Sequence, residues 1–278
     1  MPPPVRFFTI NAVLAKHDGL RRTAAGPVEI ASTGAATRPE IGSDAPQGPA
    51  VATPSDEPFG LMTFRAPEGL LWVKWRGIQG AMASERTSIT RCNEDDARCS
   101  APERSFVAMK RLAAAAADER TRAEIVNRAV NQSVRYVGDD QQHGLPDVWS
   151  PPLQTLRTGL GDCEDYAIAK YALLLAAGTA ETDLKLLLVR DLAVRQDHAV
   201  LAVRIDGKWF VLDNRRATLL EGRDLQSFMP LFAIDHRGVN LFAAPYAERP
   251  HHESESDLAP AAEADIGGGR DPGRPLLL

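Results

Sequence analysis

Apolar residues recur along the chain with two different periods, and the change of period marks its elements. From Glu103 to about Val137 the stretch FVAMKRLAAAAADERTRAEIVNRAVNQSVRYV holds no glycine or proline, and Val126, Val130, Val134 and Val137 recur every three to four residues. That spacing predicts two helices, or one broken near Asp118. A further helix is predicted over residues 163–177, with Asp162 at its N-cap, Asp165 three residues on in a capping-box position, and Gly178 as the stop. After Thr182 the pattern changes. The stretches LKLLLVRDL, HAVLAVRIDGKWFVLDN and FAIDHRGVNLFA all contain β-branched or aromatic residues, and the last two carry Asp-Gly or glycine turns, which predicts antiparallel strands. Between Phe59 and Gly80, aromatic and aliphatic residues interrupted by glycine and proline predict short extended segments. The run GDDQQHGLPDVWSPPLQTLRTGLGD reads as a long loop, of the kind that often serves a site. Helices first and a sheet after them make an α+β fold.

Composition sets the limits of that fold. A 44% hydrophobic content suffices for a core. Eight of the 20 prolines fall in the first 55 residues, among alanine, glycine, serine and threonine. Residues 1–57 therefore read as a disordered leader or atypical signal region, 58–246 as the folded domain, and 247–278 as a disordered tail. Within the leader, Val5 to Ala15 carries one basic residue and a short apolar run, interrupted by Asn11, so it is a weak export signal. No run of eighteen apolar residues exists, so no membrane span is expected in the mature chain. A net charge of -5, with no basic stripe, argues against nucleic acid as a partner. His251 and His252 in the tail read as solvated.

The chain has three cysteines. Cys92 and Cys99 enclose six mostly polar residues, too wide for a CxxC motif and with no second ligand pair nearby; a local disulfide and two free thiols both fit the spacing. A disulfide would imply an oxidising compartment. Cys163 stands in GDCEDYAIAKY, flanked by Asp162, Glu164 and Asp165. Three carboxylates oppose a thiolate, whereas the first turn of a helix favours one. A nucleophilic cysteine also needs a histidine and a group to orient it. Given a two-residue turn at Asp206-Gly207, Ile205 pairs with Lys208 and Asp213 falls opposite Val200. His198 and Asp213 are then diagonal neighbours roughly 7–8 Å apart at the backbone, opposite an apolar face of Ala199, Leu201, Val203, Ile205, Phe210 and Leu212. A three-residue turn would destroy the pairing.

The block DVWSPPLQTLRTGLGDCEDYAIAKYALLLAAG, followed by HAVLAV and VLDNR, resembles the bacterial transglutaminase-like cysteine peptidases, periplasmic proteases of the LapG type, over about Pro58 to Ala243. The resemblance implies a papain/transglutaminase-like fold with the catalytic cysteine at a helix N-terminus packed on an antiparallel sheet. It implies Cys163 as nucleophile, His198 as general base and acid, and Asp213 as the residue that orients the imidazole. It also implies a calcium ion, for which Asp162, Glu164 and Asp165 are candidate ligands, with Asp139, Asp140 and Asp147 available in the preceding loop; bound, the dication would offset the charges around the thiol. A disulfide between Cys92 and Cys99, a periplasmic location, a large surface adhesin as substrate in biofilm release, and an inner-membrane receptor as regulator follow from the same resemblance. Trp149 reads as packing and His143 as a surface histidine. A transglutaminase-type transfer to an amine, or a binding module without chemistry, are the rival readings.

Overall fold

The computed structural model describes residues 56–243. The expectations for the leader before residue 56, including its signal region, and for the tail after 243 lie outside them. In chain order the elements are β1 (Thr63–Arg65), α1 (Leu70–Glu94), α2 (Ala101–Ala114), α3 (Glu119–Ser133), β2 (Arg135–Tyr136), α4 (Asp139–His143), α5 (Pro152–Thr158), β3 (Leu160–Gly161) and α6 (Cys163–Ala176), then β4 (Leu184–Asp191), β5 (Gln196–Ile205), β6 (Lys208–Leu212), β7 (Leu220–Glu221), β8 (Phe228–Asp235) and β9 (Gly238–Phe242). Seven strands form one antiparallel sheet in the order β1-β9-β8-β4-β5-β6-β7, while β2 and β3 make a short parallel pair. The fold is α+β, with helices packed on an antiparallel sheet.

The predicted break at Asp118 separates α2 from α3. Its carboxylate caps α3, accepting from the Thr121 N–H at 2.7 Å and the Thr121 hydroxyl at 2.8 Å. The short extended segments expected for Phe59 to Gly80 are confined to β1; from Leu70 onward the chain is the 25-residue helix α1. Leu71, Trp75 and Ile78, spaced four and three apart, put one stripe into the core, and Gly77 and Gly80 face open space, so they cost only helix propensity. The expected long loop also contains structure. Pro152 opens α5, and Gly144 and Gly159, with φ of 66° and 63°, close α4 and α5, so residues that read as breakers act as start and stop signals.

Helix α6 lies between the other helices and the sheet, and Tyr166 to Tyr171 are buried without interruption. The sheet is buried on both faces: Leu186, Leu188, Ala199 and Leu201 join the main core, while Leu187, Val189, Val200 and Ala202 pack with Phe228 and Phe242 on the other side. A strand covered on both faces shows a continuous apolar run, as LKLLLV does. Cys92, at the end of α1, and Cys99, just before α2, are joined as a disulfide in a small cluster with Val107.

Candidate active site

The β5–β6 hairpin turns through Asp206 and Gly207, both at positive φ (50° and 75°), and pairs Ile205 with Lys208 and Leu201 with Leu212. This is the two-residue turn whose twist suits adjacent strands. Strand β6 ends at Leu212, so Asp213 leaves the ladder beside the histidine strand. His198 Nε2 lies 2.9 Å from Asp213 Oδ1, and both side chains are buried. The other ring nitrogen, His198 Nδ1, is buried without a hydrogen-bond partner. The Phe228 ring meets the imidazole edge-on at 5.9 Å. The Arg215 N–H donates to Asp213 Oδ1 at 3.0 Å, and Asn131 Nδ2 donates to the Asp213 carbonyl at 3.0 Å, which ties the turn after β6 to α3. Burial pushes the Asp213 carboxyl up, but the hydrogen bond and charge of His198, the Arg215 N–H and the charge of Lys170 together hold it below its ordinary range.

Cys163 is the first residue of α6, and its sulfur faces the Ala199 N–H, next in the chain to His198. The residue keeps some contact with solvent while its sulfur is crowded by protein atoms. That crowding pushes the thiol well above its ordinary range, and the charges of Glu164 and Asp162 add to it; the thiol donates to Glu164 Oε2 at 3.1 Å.

Asp162 occupies the N-cap position of α6, yet its side chain makes no capping bond. Instead Asp139, Asp162 and Glu164, all within 4.8 Å of one another by one carboxylate oxygen each, form a cluster that could hold a metal ion. Oδ1 of Asp139 and Oδ1 of Asp162 are buried without hydrogen-bond partners, while the other Asp139 oxygen accepts from the Val148 N–H. Hard oxygen donors crowded together, two of them without hydrogen-bond partners, fit calcium. Burial raises Asp162 and Glu164 above the usual carboxylate range, and the charge of Glu164 raises Asp162 further. Asp165 lies outside the trio. Its Oδ1 accepts from the Ser150 N–H at 2.8 Å, and a Cβ on Gly161 would come within 2.7 Å of its Oδ2, so this helix start requires glycine at 161. Of the other loop acids, Asp147 is bound by Lys74 at 2.6 Å and Asp140 is exposed.

His143 ends α4, with Nε2 3.9 Å from Asp139. Trp149 is buried, with Lys74 Nζ 5.6 Å from its ring centroid. Sequence reasoning missed Tyr136. The β2–β3 pairing sets it beside Gly161, and although the residue is 57% exposed, partial desolvation, then the charges of Cys163, Asp162 and Glu164, push the phenol up to about 12, so it stays protonated at the rim of the site. Nothing local in the sequence marks this residue, because β2 is two residues long.

Among known proteins, the UPF0252 protein PH0672 of Pyrococcus horikoshii is 33% identical over 101 residues, 36% of this chain. The chain spans 30% of the length of that curated relative. Among solved structures, Legionella pneumophila LapG is 25% identical with a TM-score of 0.47, over 55% of this chain and 87% of that one. Calcium-bound LapG of the same organism gives the same identity and score over 85% of its length. The sequence model of the bacterial transglutaminase-like cysteine proteinases (BTLCP) matches residues 83–225, a segment that holds Cys163, His198 and Asp213 together, and this chain belongs to that family.

Proposed function

We propose that the chain is a cysteine peptidase working through a Cys163, His198 and Asp213 triad. The supporting observation is the buried pair His198 Nε2 and Asp213 Oδ1 at 2.9 Å, which leaves Nδ1 without a partner on a residue adjoining the one that faces the Cys163 sulfur. His198 takes the thiol proton and the sulfur attacks a peptide carbonyl; the imidazolium then protonates the departing amine, leaving an acyl-enzyme. Water, deprotonated by His198, attacks the thioester, and the sulfur leaves as the product acid forms. Asp213 holds the imidazole in one tautomer and stabilises its charged form. The Cys163 N–H, exposed at the start of α6, is the donor for the oxyanion.

Asp139, Asp162 and Glu164 are the calcium ligands of this reading, with Asp165 a positioning residue that holds the segment at Ser150, just before α5, against the start of α6. Bound there, calcium supplies positive charge that lowers the energy of the nearby thiolate. The Cys92–Cys99 disulfide and the family resemblance support a periplasmic location in this reading, where the enzyme acts on a protein substrate, for which a large surface adhesin is our choice, with an inner-membrane receptor governing access. No helix among the described residues is long and apolar enough to cross a membrane.

Cells carrying wild type and Cys163→Ala are compared by mass spectrometry of new protein N-termini in the surface fraction. Wild-type-dependent cleavage of one large surface protein supports the reading. A Cys163→Ala protein with full activity overturns it, and a heavier cross-linked product in place of two fragments replaces hydrolysis with amine transfer.

A further inference from the structure

Lys74, near the start of α1, reaches across 73 residues of sequence to the segment between α4 and α5. Its Nζ lies 2.6 Å from Asp147 Oδ1 and donates to the Asp147 carbonyl at 3.0 Å, so one ammonium holds both the side chain and the backbone of the same residue. The pair is largely covered, with 13% of the lysine side chain and 5% of the aspartate side chain exposed. The Trp149 ring centroid lies 5.6 Å from the same Nζ. Lysine ordinarily keeps its ammonium in water. A covered ion pair adds little net stability, because desolvation offsets the attraction; what it can fix is geometry.

The geometry fixed here belongs to the acid cluster. The Val148 N–H donates to Asp139 Oδ2, while Asp139 Oδ1 is buried without a hydrogen-bond partner. That N–H and the Asp147 carbonyl are the two sides of one peptide unit, which is planar and trans, so they point in opposite directions. A hold on the oxygen therefore sets the direction of the N–H. Two residues on, the Ser150 N–H donates to Asp165 Oδ1 at 2.8 Å. Residues 147–150 thus run as a strap from α1 to Asp139 and the start of α6, and Lys74 supplies the α1 end. Outer partners that orient a ligating carboxylate commonly change metal affinity ten- to a hundredfold when removed.

We propose that Lys74 is a positioning residue of the calcium site: by holding the carbonyl of the 147–148 peptide it aims the N–H of that peptide at Asp139, and so sets the Asp139 carboxylate for the ion. The proposal rests on the calcium reading given under the proposed function. Charge alone predicts the opposite sign, because a cation near the site repels a dication and its deletion would tighten binding. Deletion of a positioning residue weakens binding.

The test measures calcium affinity by titration calorimetry on the full chain. Wild type is compared with Lys74→Met and with the charge-balanced double variant Lys74→Met and Asp147→Asn, and hydrogen exchange of the Val148 amide is followed in chelator. The expected result is a calcium Kd about ten- to a hundredfold higher in both variants, with a Val148 amide that exchanges faster than in wild type. A lysine that only braces α1 would lower the thermal midpoint and leave the calcium Kd of the folded protein unchanged. That result, or a tighter Kd, overturns the proposal. Should Lys74→Met fail to fold, the double variant, which buries no unpaired ion, gives the same reading. A wild type that gives no heat with calcium sinks the calcium reading and the role of the ion with it, whereas faster Val148 exchange in the variants would still support the hold of Lys74 on Asp139.

Discussion

The Cys163 sulfur lies 3.1 Å from Glu164 Oε2, so the thiol shares its first helical turn with a carboxyl group. Without a cation this neighbour stabilises the thiol and disfavours the thiolate. Alkylation of Cys163 by iodoacetamide at pH 7 is therefore expected to run about ten times faster with calcium than with chelator. Glu164→Gln should raise the chelated rate and flatten its dependence on calcium. Equal rates for wild type in calcium and chelator would remove the ion from the mechanism.

The same crowding makes stability depend on pH. Burial pushes Asp165 up to about 8, and Asp162 and Glu164 are also raised. Between about pH 4, where free carboxyls titrate, and about pH 8, the folded calcium-free protein holds protons that the unfolded chain has lost. Stability is then fully present below about pH 4 with respect to these groups and declines as pH rises, by up to ~1.4 kcal/mol per unit for each group. Thermal melts in chelator from pH 5 to pH 8 should show the decline, and calcium should reduce it. A chelated midpoint that rises over this range contradicts the assignment.

Asp213→Asn preserves the shape of the His198 partner and removes its charge. On the triad proposed above, in which Asp213 acts through the imidazole, the expected loss in kcat is about 10²- to 10⁴-fold, with little change in KM. Steady-state kinetics on a cleaved peptide reads this directly; a loss below threefold would mean that the 2.9 Å contact is structural only.

Gly161→Ala places a methyl group 2.8 Å from the Asp165 Cβ and 2.7 Å from its Oδ2, both too close for contact. Relief requires Asp165 to release the Ser150 N–H, inside the helix start. A destabilisation of about 2–3 kcal/mol is expected in urea unfolding. A neutral Gly161→Ala would show that the 160–165 segment yields easily.

The Cys92–Cys99 bridge closes a seven-residue separation between α1 and α2. A loop of that size is worth about 2–3 kcal/mol by chain entropy, so replacing both cysteines by alanine should lower stability by that amount. Natively isolated protein should have an intact mass two hydrogens below the reduced value. Free thiols at both positions would count against export.

Much of the site was legible in short-range signals. The Asp206-Gly207 turn defines the hairpin register within a few residues, and that register alone carries Asp213 to His198. Gly178, with φ of 102°, marks the end of α6 in the same local way, whereas Asp162 stands at the N-cap position without a capping bond and Asp165 forms no capping box. Local signals misled at α1, where Gly77 and Gly80 read as breaks although the 71, 75 and 78 stripe buries against the core. Tertiary structure alone decided which acids converge. Asp139 joins Asp162 and Glu164 because α4 folds back beside β3, whereas Asp165 is drawn to the Ser150 N–H and Asp147 to Lys74. It also decided that Lys170 is sealed within α6, in a stretch where every residue from 166 to 171 is covered. Turns and caps are set by the dihedral preferences of neighbouring residues, which a sequence displays. The partner of a buried carboxylate or ammonium is set by how distant elements pack, and that is settled only when the chain closes on itself.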